Sequence, residues 1–306
     1  MLIRVLGSAA GGGFPQWNCN CDNCKGVRNA SIAARARTQE SIALSIDSEA
    51  WFVINASPEI RQQIEAFPGL HPRIARGTPI AGIFLTNGDL DHCLGLLSLR
   101  ESEPLTIYAT ERVWSGFTER NSLFRTLQRF DGQVTWRPLN LNQPLPLTLP
   151  NGSDSGLSVC AMPIPGKLPI HLGDLNPDPE DNVGLRFIET RSGKLLAYLP
   201  AVGAAAASVE RAAAGADLLF FDGTFWSSDE LASQQLGDKR AEDMAHWPVG
   251  GPLGSLDWLR NFPSTTRRVF IHVNNTNPLL RENSPERSSV ETAGIEVAYD
   301  GMELSL

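Results

Sequence analysis

A chain of 306 residues with 42% hydrophobic positions is long enough to bury a large hydrophobic core. No apolar run reaches the roughly 18 residues that a transmembrane helix needs, so the sequence predicts no membrane span. The formal net charge of -8 at pH 7 argues against a nucleic acid as the main partner. The N-terminal segment has too short an apolar stretch for a signal peptide, and its pattern predicts a first strand that enters a Gly-rich turn.

Short apolar runs bounded by turn residues recur along the chain and predict β-strands. The predicted strands are residues 3–7, 41–46, 51–55, 80–87, 105–110, 157–164, 183–189, 194–200, 217–223, 267–275 and 295–304. The predicted helices are Pro58–Phe67, Asp91–Glu101, Thr110–Gln128, Ala204–Ala214 and Gly254–Phe262. Strands and helices do not alternate regularly, and this inventory predicts an α/β chain in which two packed mixed sheets carry helices on the outside.

The cysteines favour a reducing compartment. There are five of them, at Cys19, Cys21, Cys24, Cys93 and Cys160. An odd number with a tight local cluster does not suit a disulfide framework, and we therefore expect a cytoplasmic protein.

The first chemistry-bearing motif is the CxCxxC of Cys19, Cys21 and Cys24. Three thiolates this close in sequence can converge on one tetrahedral ion, for which zinc is the default. A chance cluster of buried cysteines is the alternative, but the preceding Gly-rich turn and the polar residues between the thiols argue against it. The motif predicts a structural zinc loop at residues 19–24. Its fourth ligand stays open between Asp22 and a side chain that the fold brings in.

The second motif, TNGDLDHCLG at residues 86–95, follows an apolar strand and leads into a predicted helix. Such a turn presents its side chains at the carboxyl end of a strand, where α/β sites usually lie. Asp89, Asp91 and His92 could therefore meet at one metal ion. The alternative is a helix N-cap formed by Asp89 or Asp91, and the pattern alone leaves the two nearly even.

Further candidates lie at other strand ends and in loops. Asp222 and His272 each follow a run of apolar residues, and His246 lies in a loop before a predicted helix. A lone histidine is more often a structural residue than a ligand, but two of them near acidic turns favour a site. The segment 163–182 is rich in Pro, Asp and Gly and predicts a long loop of the kind that is often functional.

Taken in their order along the chain, these motifs resemble those of the metallo-β-lactamase superfamily and, within it, those of the coenzyme PQQ (pyrroloquinoline quinone) synthesis B family. The phrases that carry the resemblance are LGSAAGGGFPQWNCNC, TNGDLDHCLG, FFDGTFW, HVNNTNP and YDGMEL, which span essentially the whole chain. The resemblance implies a single domain over residues 1–306, folded as an αβ/βα sandwich of two mixed sheets flanked by helices. It also implies a site along one edge, where the loops at the strand ends meet.

The chain departs from the two-metal HxHxDH motif of that superfamily. Asn87 and Asp89 stand where the first two histidines are expected, and Pro200 and Ala201 occupy the place of the bridging aspartate. The loop histidine after the strand at 157–164 is also missing. These departures remove the ligands of one of the two metal ions. A two-metal hydrolase needs both ions, so the chain is not expected to build such a site in the usual way.

The ligands that the resemblance leaves are Asp91, His92 and His272, with Asp89 as a further oxygen ligand or a neighbour of the site. Two imidazoles and one carboxylate form the ligand set of non-haem Fe²⁺ centres that react with O₂. Asp222 would orient His246, which could then move protons. In CxCxxC relatives a histidine closes the zinc site at the position of Asn275, so the fourth zinc ligand stays open here.

The function implied is a step of PQQ biosynthesis, in which Fe²⁺ and O₂ hydroxylate the tyrosine ring of a cross-linked Glu-Tyr precursor. The implied partners are this small peptide-derived substrate, O₂ and other proteins of the same pathway. Arg61, Lys167 and Arg186 are unplaced candidates for binding an acidic substrate. Two rival functions stay open, a carrier of PQQ or its precursor to the periplasm and a two-metal hydrolase that uses Asp89 as a substitute ligand.

Overall fold

The computed structural model describes residues 1–101, 103–119, 121–173 and 175–306. Its strands are β1 Leu2–Gly7, β2 Ser41–Ser45, β3 Trp51–Ile54, β4 Ile80–Phe84, β5 Leu105–Ala109, β6 Val134–Pro138, β7 Pro144–Thr148, β8 Asp154–Pro163, β9 Val183–Glu189, β10 Leu195–Leu199, β11 Leu218–Asp222, β12 Arg267–Ile271, β13 Glu296–Val297 and β14 Glu303–Ser305. Its α-helices are α1 Asp22–Arg28, α2 Ile60–Glu65, α3 Leu90–Cys93, α4 Glu111–Glu119, α5 Ala207–Ala213, α6 Glu230–Ser233, α7 Ser255–Arg260 and α8 Pro285–Thr292. Short 3₁₀ turns follow several of them, at Pro68–Leu70, Leu94–Ser98, Ser122–Leu127, Ile170–Leu172, Glu242–Met244 and Pro278–Leu280.

Within the described residues the strands form two seven-stranded sheets. The predicted α/β fold, with two mixed sheets flanked by helices, is confirmed. The first sheet has the order β14-β1-β2-β3-β4-β5-β6 and the second the order β13-β12-β11-β10-β9-β8-β7. The sheets face each other across an apolar core that includes Phe52, Phe84, Phe187, Tyr198 and Phe220. Continuous apolar runs such as those of β4 and β11 suit strands that are covered on both faces.

Parallel pairing brings the functional strand ends together. In the second sheet β11 and β12 are parallel, and Asp222 at the end of β11 is in register with Ile271 at the end of β12. In the first sheet β4 is parallel to both β3 and β5. The carboxyl ends of parallel strands share one edge of a sheet, so the segments after β4, β11 and β12 supply side chains to the same region.

The predicted strand 295–304 is wrong as a single element. Its first part is β13, which pairs with β12 in the second sheet, and its last part is β14, which pairs with β1 in the first. The turn around Tyr299–Gly301 carries the chain from one sheet to the other. An apolar pattern alone does not show that a short run changes sheets.

Other differences between the prediction and the structure concern the lengths of the helices and two strands that contain prolines. The predicted helices occur but are shorter, and Asp91–Glu101 is α3 followed by the 3₁₀ turn Leu94–Ser98. The prediction Thr110–Gln128 is α4 and a 3₁₀ turn, separated by position 120, which lies outside the described residues. The strands β6 and β7 were missed, because their prolines mask the strand pattern. Within the described ranges, no helix is long and apolar enough to cross a membrane.

Candidate metal centre

Asp91 and His92 lie in α3, directly after the turn that follows β4. Asp89 occupies the N-cap position, but its side chain makes no capping hydrogen bond, so capping does not explain the acidic turn. The ligand atoms of Asp91, His92 and His272 all lie within 4.8 Å of one another. Oδ2 of Asp91 is 3.2 Å from Nε2 of His272 and 3.6 Å from Nε2 of His92, and the two Nε2 atoms are 3.3 Å apart. A single metal ion would fit this donor set.

His272 reaches the cluster from the second sheet, one residue after β12. Its φ is +60°, a left-handed conformation that costs a residue other than glycine about 1–3 kcal/mol. The residue is only 3% exposed. Contacts of the surrounding segments must therefore hold it in place, as is common for residues at functional sites.

Thr224 fixes the orientation of the His272 ring. Its Oγ1 lies 2.7 Å from Nδ1 of His272 and 2.5 Å from Oδ1 of Asp222. If Nε2 of His272 binds a metal, the ring proton is on Nδ1. The Nδ1–H group then donates a hydrogen bond to the Thr224 hydroxyl, which donates one in turn to the Asp222 carboxylate. The hydroxyl therefore selects the tautomer that a metal ligand requires.

A similar relay lies behind His92. Its Nδ1 is 2.8 Å from Oγ1 of Thr86, and the Thr86 hydroxyl is 3.1 Å from Oδ1 of Asn55. Nδ2 of Asn55 donates to Oε2 of Glu40 over 2.8 Å and also lies 2.9 Å from Nδ1 of His92. Burial raises the pKa of Glu40 to about 8, so this carboxyl is protonated at neutral pH. Each histidine of the cluster thus has a threonine hydroxyl behind it.

The charge states of Asp91 and His92 suit metal binding. Burial would lower the pKa of His272, but the hydrogen bond to Asp91 and the charge of Asp91 outweigh it and raise this pKa. Burial lowers the pKa of His92 to about 4, so its ring is neutral at pH 7 and keeps a lone pair for a metal. Burial would raise the pKa of Asp91, but the charge of His92 and the hydrogen bond from His272 outweigh it and leave the pKa well below its usual range. A neutral imidazole and an ionised carboxylate are the forms that bind metal ions.

The first testable consequence concerns Thr224. Thr224→Val keeps the shape of the side chain but removes the hydroxyl, and we expect about 10–100-fold weaker divalent metal binding at this centre. Thr224→Ser retains the hydroxyl and should bind nearly as tightly as the unchanged protein. Titration of the apo-protein with Mn²⁺ measures the difference. Equal affinities of the valine and serine variants would contradict the relay.

Asp222 and His246 form a hydrogen-bonded pair beside the cluster. Nδ1 of His246 donates to Oδ2 of Asp222 over 2.7 Å, and Asp222 is completely buried. Burial raises the pKa of Asp222, but the charge of His246 and the hydrogen bonds that the carboxylate accepts outweigh it, and the pKa is lowered. The His246 and His272 rings stack with centroids 5.3 Å apart. With Nδ1 tied to Asp222, Nε2 is the nitrogen of His246 that is free to exchange a proton.

A cavity of about 480 Å³, a size typical of small-ligand sites, is lined by Asp91, His92, Thr224, His246 and His272. The long loop at 163–182, which includes position 174 outside the described residues, contributes Lys167, Ile170 and His171. Phe225 and Met244 add apolar surface. An apolar wall with a few convergent polar groups is typical of small-molecule sites.

Asp89 also lines the cavity but does not join the cluster. Its carboxylate lies 3.4 Å from Nζ of Lys167, so it faces a cation and not the two histidines. The other candidate cations lie elsewhere. Arg61 is an exposed residue of α2, and Arg186 donates to carbonyl groups at the end of α5.

The residues that sequence reasoning missed are those behind the ligands, Thr224, Thr86, Asn55 and Glu40. The threonines directly adjoin the FDG and NGDLDH motifs, and a hydroxyl next to ligand motifs is a usable signal. Asn55 and Glu40 carry no such signal, because only the packing of β2, β3 and β4 brings them to His92.

The three cysteines of the CxCxxC motif form a separate group. Cys19, Cys21 and Cys24 are free thiols whose sulfurs lie within 4.8 Å of one another, and Cys24 is fully buried. Cys21 is the N-cap of α1, so this helix starts within the motif. Three convergent thiolates fit a soft tetrahedral ion such as zinc. The exposed Asp22 is not part of the group.

Comparisons with known proteins support the family and the fold. Residues 50–273 match the family described as "Beta-lactamase superfamily domain". The "Coenzyme PQQ synthesis protein B" of Stutzerimonas stutzeri is 46% identical over the full length of both chains. A crystal structure of Zn²⁺-bound PqqB from Methylobacterium extorquens is 41% identical over all of both chains, with a TM-score of 0.91. A diphosphatase from the PhnP family, 20% identical with a TM-score of 0.62, covers the whole of this chain and 97% of its own and shares the fold.

Proposed function

Because the chain belongs to the coenzyme PQQ synthesis protein B family of the β-lactamase superfamily, we propose that it is a metalloenzyme of PQQ biosynthesis. It hydroxylates the tyrosine ring of a cross-linked Glu-Tyr precursor. The observation that carries this proposal is the convergence of two imidazoles and one carboxylate, from Asp91, His92 and His272, at one cavity. These residues would hold Fe²⁺, which when bound lets O₂ react with an organic substrate.

The contacts of Asn87 and Asp89 favour one metal ion over two. Nδ2 of Asn87 donates to Oδ1 of Asn182 over 3.2 Å, and Oδ1 of Asn87 accepts from the backbone N–H of Asp89. Asp89 itself faces the ammonium group of Lys167. The positions of the first two superfamily histidines are thus occupied by a bonded carboxamide and an ion pair. A nearby cation also repels a second metal ion, which disfavours the two-metal hydrolase.

The remaining residues would bind the substrate and move protons. Hydroxylation replaces a ring C–H by C–OH with one oxygen atom of O₂. The other oxygen atom is reduced to water with two electrons from an external reductant and two protons. His246, oriented by Asp222, is placed to accept the proton of a phenol or to return one to the site. Phe225 and Met244 offer apolar contact for the aromatic ring.

Lys167 would bind a carboxylate of the precursor. Among the described residues it is the one lysine or arginine that lines the cavity. We expect Lys167→Gln to raise KM about tenfold with little change in kcat, because a charge-assisted hydrogen bond at a partly exposed site is lost. Lys194→Gln, which breaks an ion pair with Asp217 away from the cavity, is the matched control. An unchanged KM in Lys167→Gln would contradict this assignment.

The cysteine group would serve a structural purpose. Cys19, Cys21 and Cys24 would hold zinc, and none of them lines the cavity. Closed thiolate sites of this kind stabilise folds and do not take part in reactions.

Anaerobic reconstitution tests the proposed activity. The apo-protein is loaded with zinc and Fe²⁺, mixed with a cross-linked Glu-Tyr dipeptide and exposed to O₂ with a reductant, and the product is analysed by mass spectrometry. We expect a gain of one oxygen atom with Fe²⁺ and none when zinc fills both sites. Tight PQQ binding without oxygen incorporation would show a carrier, and cleavage of an ester or phosphodiester would show a hydrolase.

A further inference from the structure

The positions at which this chain departs from the two-metal motif lie together on one wall of the cavity. Asn182 joins three of these segments. Its Oδ1 atom accepts from Nδ2 of Asn87 over 3.2 Å, and its Nδ2 atom donates to the carbonyl groups of Ala201 and Pro165 over 2.9 and 3.3 Å. Asn87 and Asn182 are only 4% and 5% exposed. Buried hydrogen bonds therefore hold this wall together.

The same contacts place an acidic and a basic side chain next to each other. The backbone N–H of Asp89 donates to Oδ1 of Asn87 over 2.9 Å. Gly166, which precedes Lys167, packs so closely on Asn182 that a Cβ atom there would lie 2.4 Å from Nδ2 of that side chain. The segments that carry Asp89 and Lys167 are thus fixed relative to each other through Asn87 and Asn182.

The ion pair of Asp89 and Lys167 is open to the cavity. Its charged atoms are 3.4 Å apart, and the side chains of Lys167 and Asp89 are 41% and 25% exposed. Both residues line the cavity that contains the metal cluster. An ion pair this exposed stabilises a fold little, and Asp89 makes no capping hydrogen bond to α3. The stability of the fold therefore does not account for the pair.

Two opposite charges side by side match the charged groups of an α-amino acid, whose ammonium nitrogen and carboxylate carbon are about 2.5 Å apart. We propose that Asp89 binds an α-ammonium group of the substrate and Lys167 the neighbouring α-carboxylate, so that the pair selects a free α-amino acid group. The identity of the substrate rests on the proposed function. The selection itself follows from the charges of the cavity wall.

Charge balance favours this mode of binding. The ion pair and the amino acid group are each neutral overall, so binding places four charges of alternating sign together and adds no net charge to the cavity. Both new contacts are charge-assisted hydrogen bonds. A carboxylate without a neighbouring ammonium group would instead compete with Asp89 for Lys167. An amino group that is masked as an amide has no charge for Asp89 to bind.

Anaerobic binding tests the proposal without turnover. The Fe²⁺-loaded protein is titrated in the absence of O₂ with a cross-linked Glu-Tyr compound whose α-amino groups are either free or acetylated, and calorimetry gives the two dissociation constants. We expect the free compound to bind about tenfold more tightly, because acetylation removes a charge-assisted hydrogen bond. In Asp89→Asn this preference should disappear, while the affinity for the acetylated compound stays the same.

Two further variants complete the test. Lys167→Gln should remove the preference for free α-carboxylates over their methyl esters. Asp257→Asn removes the charge of an exposed carboxylate that pairs with Arg260, and as the matched control it should keep both preferences. A general disturbance of the cavity by Asp89→Asn would weaken the binding of both compounds equally, and this result would contradict the proposal.

Other results would also overturn it. Equal affinity of the unchanged protein for the free and acetylated compounds, or no binding of either, would exclude the subsite, and so would a preference that survives Asp89→Asn. Oxygen incorporation decides the hydroxylation separately. Amine-selective binding without oxygen incorporation would support the subsite and contradict the hydroxylation, whereas hydroxylation of both compounds with equal KM would overturn the subsite alone.

Discussion

His92→Ala is expected to abolish tight Fe²⁺ binding and to reduce turnover by more than about 100-fold, with one zinc per chain retained. Loss of a residue that hydrogen-bonds to a metal ligand already lowers metal affinity or activity by about 10–100-fold, so loss of the ligand itself should lower them more. His92 is 1% exposed, and its removal also leaves the Thr86 hydroxyl without a buried partner. Metal analysis after reconstitution and measurement of turnover together test this expectation.

The control separates this effect from the loss of a histidine in general. His71 lies outside the cavity and bonds to the carbonyl of Glu65, so His71→Ala should leave metal content and turnover unchanged. His171→Ala, at the cavity wall, tests whether the long loop supplies a further ligand. If His92→Ala lost the zinc and kept the Fe²⁺, the division of residues between the two sites would be wrong.

The second large effect is expected at His246. His246→Gln should lower kcat by about 10²–10⁴-fold with Fe²⁺ affinity nearly unchanged, because a positioned acid or base typically contributes this much. Asp222→Asn should lower kcat by a similar factor. The carboxylate accepts hydrogen bonds from His246, Thr224 and Val202, and an amide in its place cannot accept all of them. Steady-state turnover and metal titration of each variant measure the two quantities separately.

The double variant tests whether the two residues act as a unit. With His246 already replaced, Asp222→Asn should cost far less in kcat than it does alone, because residues that act together are not additive. Additive losses would mean that Asp222 acts mainly through Thr224 and His272. A full loss of Fe²⁺ in His246→Gln would instead make His246 a metal ligand.

Local spacing explains how much of this arrangement the sequence could predict. The three cysteines lie within six residues, so short-range pattern brings them together. Asp91 and His92 are adjacent at a strand end, but His272 joins them from 180 residues along the chain. The apolar runs likewise predicted two mixed sheets. The turn at Tyr299–Gly301, which moves the chain between sheets, depends on pairing with strands nearly 300 residues away in β1 and was not predictable from the run itself.

The contacts behind the ligands were harder to predict. The pairs Thr224–His272 and Asn55–His92 join residues that are distant in sequence, and only the register of parallel strands sets their distances. The position of Asn275 illustrates the same limit. By residue type it is a poor zinc ligand. The resemblance aligns it with the histidine that closes the cysteine site of relatives, but its distances to the three sulfurs follow from the fold.

The most direct test of the central claim is the fate of ¹⁸O₂. Protein loaded with Fe²⁺ at Asp91, His92 and His272 is mixed with a cross-linked Glu-Tyr dipeptide and a reductant under ¹⁸O₂ in unlabelled water. A single-metal oxygenase centre predicts a product with one ¹⁸O atom on its aromatic ring. With the His92→Ala variant, no ¹⁸O-labelled product is expected. Product oxygen that comes from water, or tight PQQ binding with no oxidised product, would contradict it.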